Sequence, residues 1–297
     1  MTSTTKTLSI LLIVGWGLTA NAEDPADGKK VHADSVIFHM YVLKPVTENK
    51  TVLRLKKEGG LWIDTGRKWV IVDGSVCLRE GPLEMFVCSH PAKQHESIIT
   101  TAPINAETIH TSLLAIGART GSPVQFQPEY KRATGSVIDI VVVWVDEADN
   151  ISTSLAQDWI KKGNTRKTMQ YAWVFGGSGY WKNPNTNEKV YYGNEGSLVC
   201  LSNFPTATMD LPVESSNSDA ARLYYANTSE IAPVENQVRI VLRNRPDVDA
   251  TKIPKVLGNG CKLLESVRDW AQEIGTIRIE LHQQFLFGAV FPIRLGR

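Results

Sequence analysis

Residues 136–146 read SVIDIVVVWVD, and the fold follows from how that run is taken. It is dense in Val and Ile, Gly135 stands before it and Asp146 closes it, so it reads as a strand. The same composition returns in short runs on both sides. Before it come SVIFHMYVL (35–43), TVLRLKK (51–57), KWVIVDGSVCLR (68–79) and LEMFVC (83–88). After it come YAWVFGG (171–177), SLVCLSNF (197–204), RLYYAN (222–227) and QVRIVLR (237–243). Gly, Pro, Asn or Asp bound most of these runs, so the chain is expected to be mainly antiparallel β.

Two segments change to helical spacing. In NAETIHTSLLAIGA (105–118) Asn105 can cap, Glu107 favours the first turn, Ile109, Leu113 and Ile116 share a face, and Gly117 ends the helix. The second is STSLAQDWIKK (152–162). The expected class is α+β, with two short helices packed on a mainly antiparallel sheet over residues 35–245. Residues 246–254, PDVDATKIP, read as a linker, and 255–297 as a small appendage with a helix-like KLLESVRDWAQE (262–273) and apolar runs TIRIELH and QFLFGAVFPI. That end is too apolar to hang in solvent and is expected to pack on the main domain or a partner.

The first 22 residues read as an export signal: Lys6, an apolar run, then Ala20-Asn21-Ala22 before a natural cleavage point. The run is too short to span a bilayer, and Asp24, Asp27, Lys29 and Lys30 follow in a polar leader segment (23–34), so no retained transmembrane anchor is expected. The mature chain is expected outside the cytoplasm, periplasmic or secreted. Of 32 basic and 31 acidic residues, removal of Lys6 leaves 31 of each, with no basic stripe for a nucleic acid.

The string CSHPAKQHES (88–97) gathers residues a metal would choose, Cys88, His90, His95 and Glu96, and His110 on the first helix could approach them. A structural zinc site prefers four ligands in more regular spacing, and the simpler reading is a solvated loop with Cys88 as a small buried apolar residue. A Cys88/His95 pair lacks an orienting third group. In VFGGSGYW, Tyr180 occupies the place of the last glycine of Gly-x-Ser-x-Gly, so Ser178 reads as a turn residue. The same glycines are not followed by Lys-Ser/Thr, so no phosphate loop is present. Tyr180 and Trp181 open a polar excursion rich in Asn, which makes them a candidate aromatic surface for a sugar or protein ligand of the envelope. The residues name no cofactor.

The four cysteines, 77, 88, 200 and 261, allow three connectivities. Taken as a hairpin around Glu80-Gly81, residues 75–88 put Leu78 opposite Leu83, Val76 opposite Met85 and Cys77 opposite Glu84. Cys88 then lies about 13 Å from Cys77, beyond disulfide reach.

Several strings, CLREGPLEMFVC, KQHES, IHTSLLAIGARTGSPV, WVFGGS and VCLSNFPTATMDLPVESS, resemble the YdjY-domain family of exported bacterial proteins, many from planctomycete-like bacteria. The resemblance covers roughly residues 62–243, and Cys88, His95, Glu96 and His110 match its pattern. Ala92 and Gln94 stand where the family carries Thr and Glu, and Cys77 and His90 fall outside the pattern. The family has no established activity to transfer, and the scattered cysteines are unlike the clustered thiolates of ferredoxin-type iron–sulfur proteins. The expectation is a non-catalytic exported binding or envelope-associated domain. The alternative is a metal-dependent or thiol-based activity centred on Cys88, His95, Glu96 and His110.

Overall fold

The computed structural model describes residues 35–297, apart from 57–58, 90, 164, 166, 216–222, 246–247, 249–251, 259–260, 287–288, 291–293 and 296–297; side chains are described between 40 and 279. The export signal, the leader segment, His90 and most of the 246–254 linker lie outside the described residues.

In chain order, β1 (Ser35–Leu43) leads to β2 (Val52–Lys56), β3 (Leu61–Asp64) and β4 (Trp69–Val76). A short β5 (Pro82–Leu83) precedes β6 (Met85–Cys88), and a 3-10 turn over Gln94–Glu96 enters β7 (Ser97–Thr101). Helix α1 (Ala106–Ala115) is followed by β8 (Val137–Val145), β9 (Ile151–Leu155), β10 (Ile160–Lys162) and β11 (Trp173–Val174). Next come β12 (Tyr180–Lys182) and β13 (Lys189–Tyr191), which form a hairpin of their own, then β14 (Ser197–Cys200), β15 (Tyr224–Ala226) and β16 (Gln237–Arg245). The chain closes with α2 (Lys262–Ile274), β17 (Thr276–Leu286), β18 (Ala289–Val290) and β19 (Arg294–Leu295).

Ten strands form one sheet, with the path β11-β8-β16-β4-β7-β6-β14. The run that opened the sequence analysis is β8, paired along its length with β16. Its lack of alternation has a structural cause, because both faces of the sheet are covered. Ile138, Ile140 and Val142 point into a core shared with Val72, Ile240, Leu242, Trp173 and the α1 residues Ile109 and Leu113. Val141 and Val143 point the other way, into a core with Trp69, Ile71, Val241 and the α2 residues Leu263, Val267 and Trp270. The Trp69 and Trp270 rings meet edge to face at 5.7 Å. The C-terminal helix thus covers the second face of the main sheet, and β17 pairs antiparallel with β1 in a separate sheet.

The α+β architecture is that expected, with α1 capped by Asn105 Oδ1, which accepts from the Thr108 N–H at 2.9 Å. Two local expectations are corrected. No helix forms over 152–162: Ile151–Leu155 is a strand on the edge of β8, a 3-10 turn spans Ala156–Trp159, and β10 follows. Residues Ser152–Ser154 are small or β-branched and pair with Val142–Trp144, while the tight turn drives Trp159 into the core; sheet pairing overrides a weak helical pattern.

The hairpin over residues 75–88 is also not formed. β7 runs between β4 and β6, antiparallel to the first (Val76 opposite Ile99) and parallel to the second (Val87 opposite Ile99). Residues 82–83 pair with β15 instead. All four cysteines are free thiols. β7 lies between β4 and β6, and the thiols of Cys77 and Cys88 are both directed at its carbonyls and are not joined. Non-reducing peptide mapping of the native protein is expected to find no Cys77–Cys88 crosslink; recovery of that crosslinked peptide would contradict the free-thiol state of the two residues.

Candidate functional site

The residues singled out from the sequence disperse. His95 sits in the 3-10 turn with its side chain 82% exposed, its Nε2 3.8 Å from Glu96 Oε2. Glu96 is buried at the entrance to β7. Cys88 is fully buried on β6, its thiol donating to the Ile99 carbonyl at 3.6 Å. The Cys77 thiol, directed at the carbonyls of Ser97 (3.1 Å) and Ile98 (3.5 Å), neighbours it. Hydrogen bonding from Cys77, with further help from Ser97 and Thr100, holds the Cys88 thiol down at about 7 against the opposing effect of burial, and Cys77 is raised in return. A reactive cysteine also needs access, which burial of Cys88 denies.

His110 belongs to a different cluster. Its Nδ1 lies 3.0 Å from the Tyr191 hydroxyl, and its ring meets Phe175 and Tyr191 edge to face at 4.9 and 5.3 Å. The same hydroxyl donates toward the Gly177 carbonyl at 3.2 Å and lies 3.1 Å from Thr208 Oγ1. Burial lowers the basicity of His110, which keeps it a neutral ring in a packed network. Among the described residues no three His, Cys, Asp or Glu side chains gather closely enough to hold a metal ion.

Tyr180 and Trp181 are 40% and 37% exposed on β12. As neighbours in a strand they point to opposite sides, so they do not make one platform. Tyr180 is engaged on its ring by Lys189, whose Nζ lies 4.0 Å from the centroid, and by Tyr191. Ser178 is the turn residue expected, with φ of 52° and its Oγ donating to the Thr206 carbonyl at 2.7 Å.

A cleft of about 620 Å³ lies elsewhere, at the end of the sheet where β8 begins and β16 ends. Its wall is made by two strings that echo each other, Thr120-Gly121-Ser122 and Thr134-Gly135-Ser136. They run antiparallel with Thr120 opposite Gly135. Ser136 N donates to the Arg119 carbonyl (3.0 Å), Thr134 N to the Ser122 carbonyl (3.0 Å), and Arg119 N to Ser136 Oγ (2.8 Å). The WVFGGS strand end is laced in behind: Gly121 N donates to the Phe175 carbonyl and Phe175 N to the Ser136 carbonyl. A Cβ on Gly135 would overlap the Phe175 carbonyl oxygen, and one on Gly121 would overlap the Thr134 carbonyl. Both glycines are therefore required by close backbone approach, and Gly135 also by its φ of +135°.

Lys68, Arg119, Arg132, Arg245 and Lys252 are among the described residues that line the cleft. Arg245 is held by a bidentate pair with the buried Asp139 and by the Lys255 carbonyl. Asn244 also lines the cleft; it is 7% exposed and its backbone N–H donates to the Lys68 carbonyl. Sequence reading missed the cleft because its cations lie at 68, 119, 132, 245 and 252, with no local pattern; the repeated Thr-Gly-Ser was the available signal.

Next to the cleft wall, Asp210 bridges to Val174 and is buried. Its Oδ1 accepts from Asn203 Nδ2 (3.0 Å) and the Leu211 N–H (2.7 Å), while Oδ2 has no partner. Burial raises its carboxyl from 3.8 to about 7. A raised folded value favours the protonated native state, so this contribution to stability is complete below about pH 4 and is lost as the pH rises through 7. In denaturant melts across that window, wild type is expected to lose stability relative to Asp210→Asn, which keeps the accepting oxygen but cannot ionise. Parallel pH profiles would contradict the burial argument. Replacement of His110 by Ala is expected to cost about 1 to 3 kcal/mol and of His95 less than about 0.5, the reverse of what a site centred on His95 requires; equal losses would restore His95 as a structural partner.

The YdjY domain model matches residues 61–243, from β3 to within β16. That is more than half of the chain and includes α1, the paired Thr-Gly-Ser strings and the WVFGGS strand end. No curated protein and no solved structure matches. By this match the chain belongs to the YdjY-domain family.

Proposed function

We propose that the chain is an exported, non-catalytic binding protein of the bacterial envelope whose ligand occupies the cleft at the end of the main sheet. The observation that carries this reading is the open cleft of about 620 Å³ at the end of the main sheet, walled where Thr120 lies opposite Gly135. That volume lies in the range of pockets for small organic ligands. The polar and nucleophilic groups singled out from the sequence are engaged in packing: His110 in a network with Tyr191, Cys88 buried on β6, and Ser178 in a turn. Export is supported by the leader pattern of residues 1–22. Among the described residues no helix is long and apolar enough to cross a membrane.

A thermal-shift screen of the purified protein against neutral sugars and organic acids tests the reading. A ligand at one hundred times its Kd stabilises a native protein by about 2.7 kcal/mol. At least one compound is expected to raise the melting temperature of wild type and to lose that effect with Asn244→Leu. Compounds that shift both proteins equally, or none that shifts either, count against the cleft as the binding site.

A further inference from the structure

Strand alternation, which parts Tyr180 from Trp181, brings a different ring to Trp181. The hairpin register pairs Tyr180 with Tyr191, Trp181 with Val190 and Lys182 with Lys189. One step beyond, the Tyr192 N–H donates to the Gly179 carbonyl at 2.9 Å, so Tyr192 stands opposite Gly179. Residues opposite each other share a face, as do residues two apart along a strand. Gly179, Trp181, Val190 and Tyr192 therefore lie on one side of the hairpin, and Tyr180, Lys182, Lys189 and Tyr191 on the other. The contacts agree: Lys189 lies over the Tyr180 ring, Tyr180 meets Tyr191 at 5.1 Å, and a Cβ on Gly179 would come 3.2 Å from Cδ2 of Tyr192. Tyr191 is buried in the His110 network, so its side of the hairpin faces the domain. On the other side Trp181 and Tyr192 are 37% and 42% exposed. We infer that this outer face, Trp181 and Tyr192 with Gly179 and Val190 between them, is a binding platform for a neutral glycan chain. It shares no residue with the described lining of the cleft and does not depend on the cleft reading.

Ring chemistry, charge and area choose the occupant. Indole and phenol rings present a broad apolar face that is weakly negative, with a polar N–H or O–H at the rim. A pyranose ring offers the complement, a face of weakly positive C–H groups edged by hydroxyls. None of the four platform residues is charged, and alternation sends both strand lysines to the opposite face. A nucleic-acid strand, which also stacks on aromatic rings, needs a positive track beside them. Such rings carry about 150–250 Å² each, so at 37% and 42% exposure the pair offers about 200 Å² at most. That is a quarter of the roughly 800 Å² each partner gives to a stable protein interface, which argues against a second copy of the chain. Two rings set diagonally across a hairpin suit successive units of a sugar chain better than a single sugar, which would cover only one of them. The turn beyond them supplies polar groups for hydroxyls: Asn183 closes it by accepting from the Asn185 N–H at 2.9 Å, and Asn185 and Asn187 are exposed at its tip.

Titration calorimetry on the full mature protein provides the test, with cellohexaose, chitohexaose and mannohexaose as probes. At least one is expected to bind saturably, with a Kd that is the same at low salt and at about 0.15 M, because no charge takes part. Trp181→Ala and Tyr192→Ala, both at exposed positions, are each expected to weaken binding about tenfold, equal to about 1.4 kcal/mol. Tyr192→Phe, which keeps the ring face, is expected to retain it, and Lys182→Gln and Asn244→Leu to bind as wild type does. The inference is overturned if no hexasaccharide binds saturably, or if Trp181→Ala and Tyr192→Ala bind as wild type does. Binding that Asn244→Leu abolishes would belong to the cleft and would overturn the platform while supporting the cleft. A concentration-dependent dimer that Trp181→Ala dissolves would give the face to a second copy and overturn it as well.

Discussion

The contact on which the candidate site depends is the approach of the Gly135 backbone to the carbonyl of Phe175. No side chain fits between them, and the hydrogen bonds from Gly121 and Phe175 on either side bind three loops into one layer. That layer is the wall of the cleft. It also explains why the glycines of WVFGGS are present without being a phosphate loop: their neighbourhood is packed against backbone, as shown by Gly177, where a Cβ would press on the Thr120 side chain. Thr120 lines the cleft, and Gly177 contacts His110, so the histidine network lies behind the wall and props it. On this account His110 and Tyr191 act by shape and not by proton transfer.

The sheet beneath makes this possible by being buried on both faces. α1 and the aromatic cluster of Trp159, Trp173 and Phe86 cover one side, and α2 covers the other. Between them the Arg239 guanidinium pairs with Asp73 at 2.6 Å and donates to the Lys44 carbonyl at 3.0 Å, so a charge inside the sheet is matched on both its sides. The end of β16 is left as the place where the covering stops. Asn244 and Arg245 stand there, lining the cleft, and Arg245 is clamped by Asp139.

Most of the sheet was legible in the sequence because β-branched runs bounded by Gly, Asn and Asp have one meaning. The run 137–145 lacks alternation for the physical reason that both its faces are covered, and α1 was readable from Asn105 to Gly117 by its cap and its stop. Two things were hidden. Ser152–Lys162 carried a helical spacing that pairing with β8 overrode, and the pairing partner of β4 could not be found locally, because β7 comes from further along the chain and runs between β4 and β6. The candidate ligands fared as their local contexts allowed. CSHPAKQHES looked dense on paper, but a strand end, a 3-10 turn and a strand start point Cys88, His95 and Glu96 in different directions. The exposure expected of Tyr180 and Trp181 is present, yet strand alternation divides them. The basic cleft was invisible because it joins five positions spread over 185 places in the sequence, from Lys68 to Lys252.

The central claim is that the Thr-Gly-Ser wall and the end of β16 form a ligand-binding cleft. The most direct measurement is chemical-shift mapping by 1H–15N correlation spectroscopy as a compound that raises the melting temperature of wild type, and not of Asn244→Leu, in the thermal-shift screen is added to the isotope-labelled protein. The account requires saturating shifts concentrated in the amides of residues 119–122 and 134–136 and in the side-chain amide of Asn244, with the β12–β13 hairpin and the 94–96 turn unmoved. Saturating shifts centred on Tyr180–Lys182 or on Gln94–Glu96, or drifts spread evenly over surface lysines with no saturation, would contradict it.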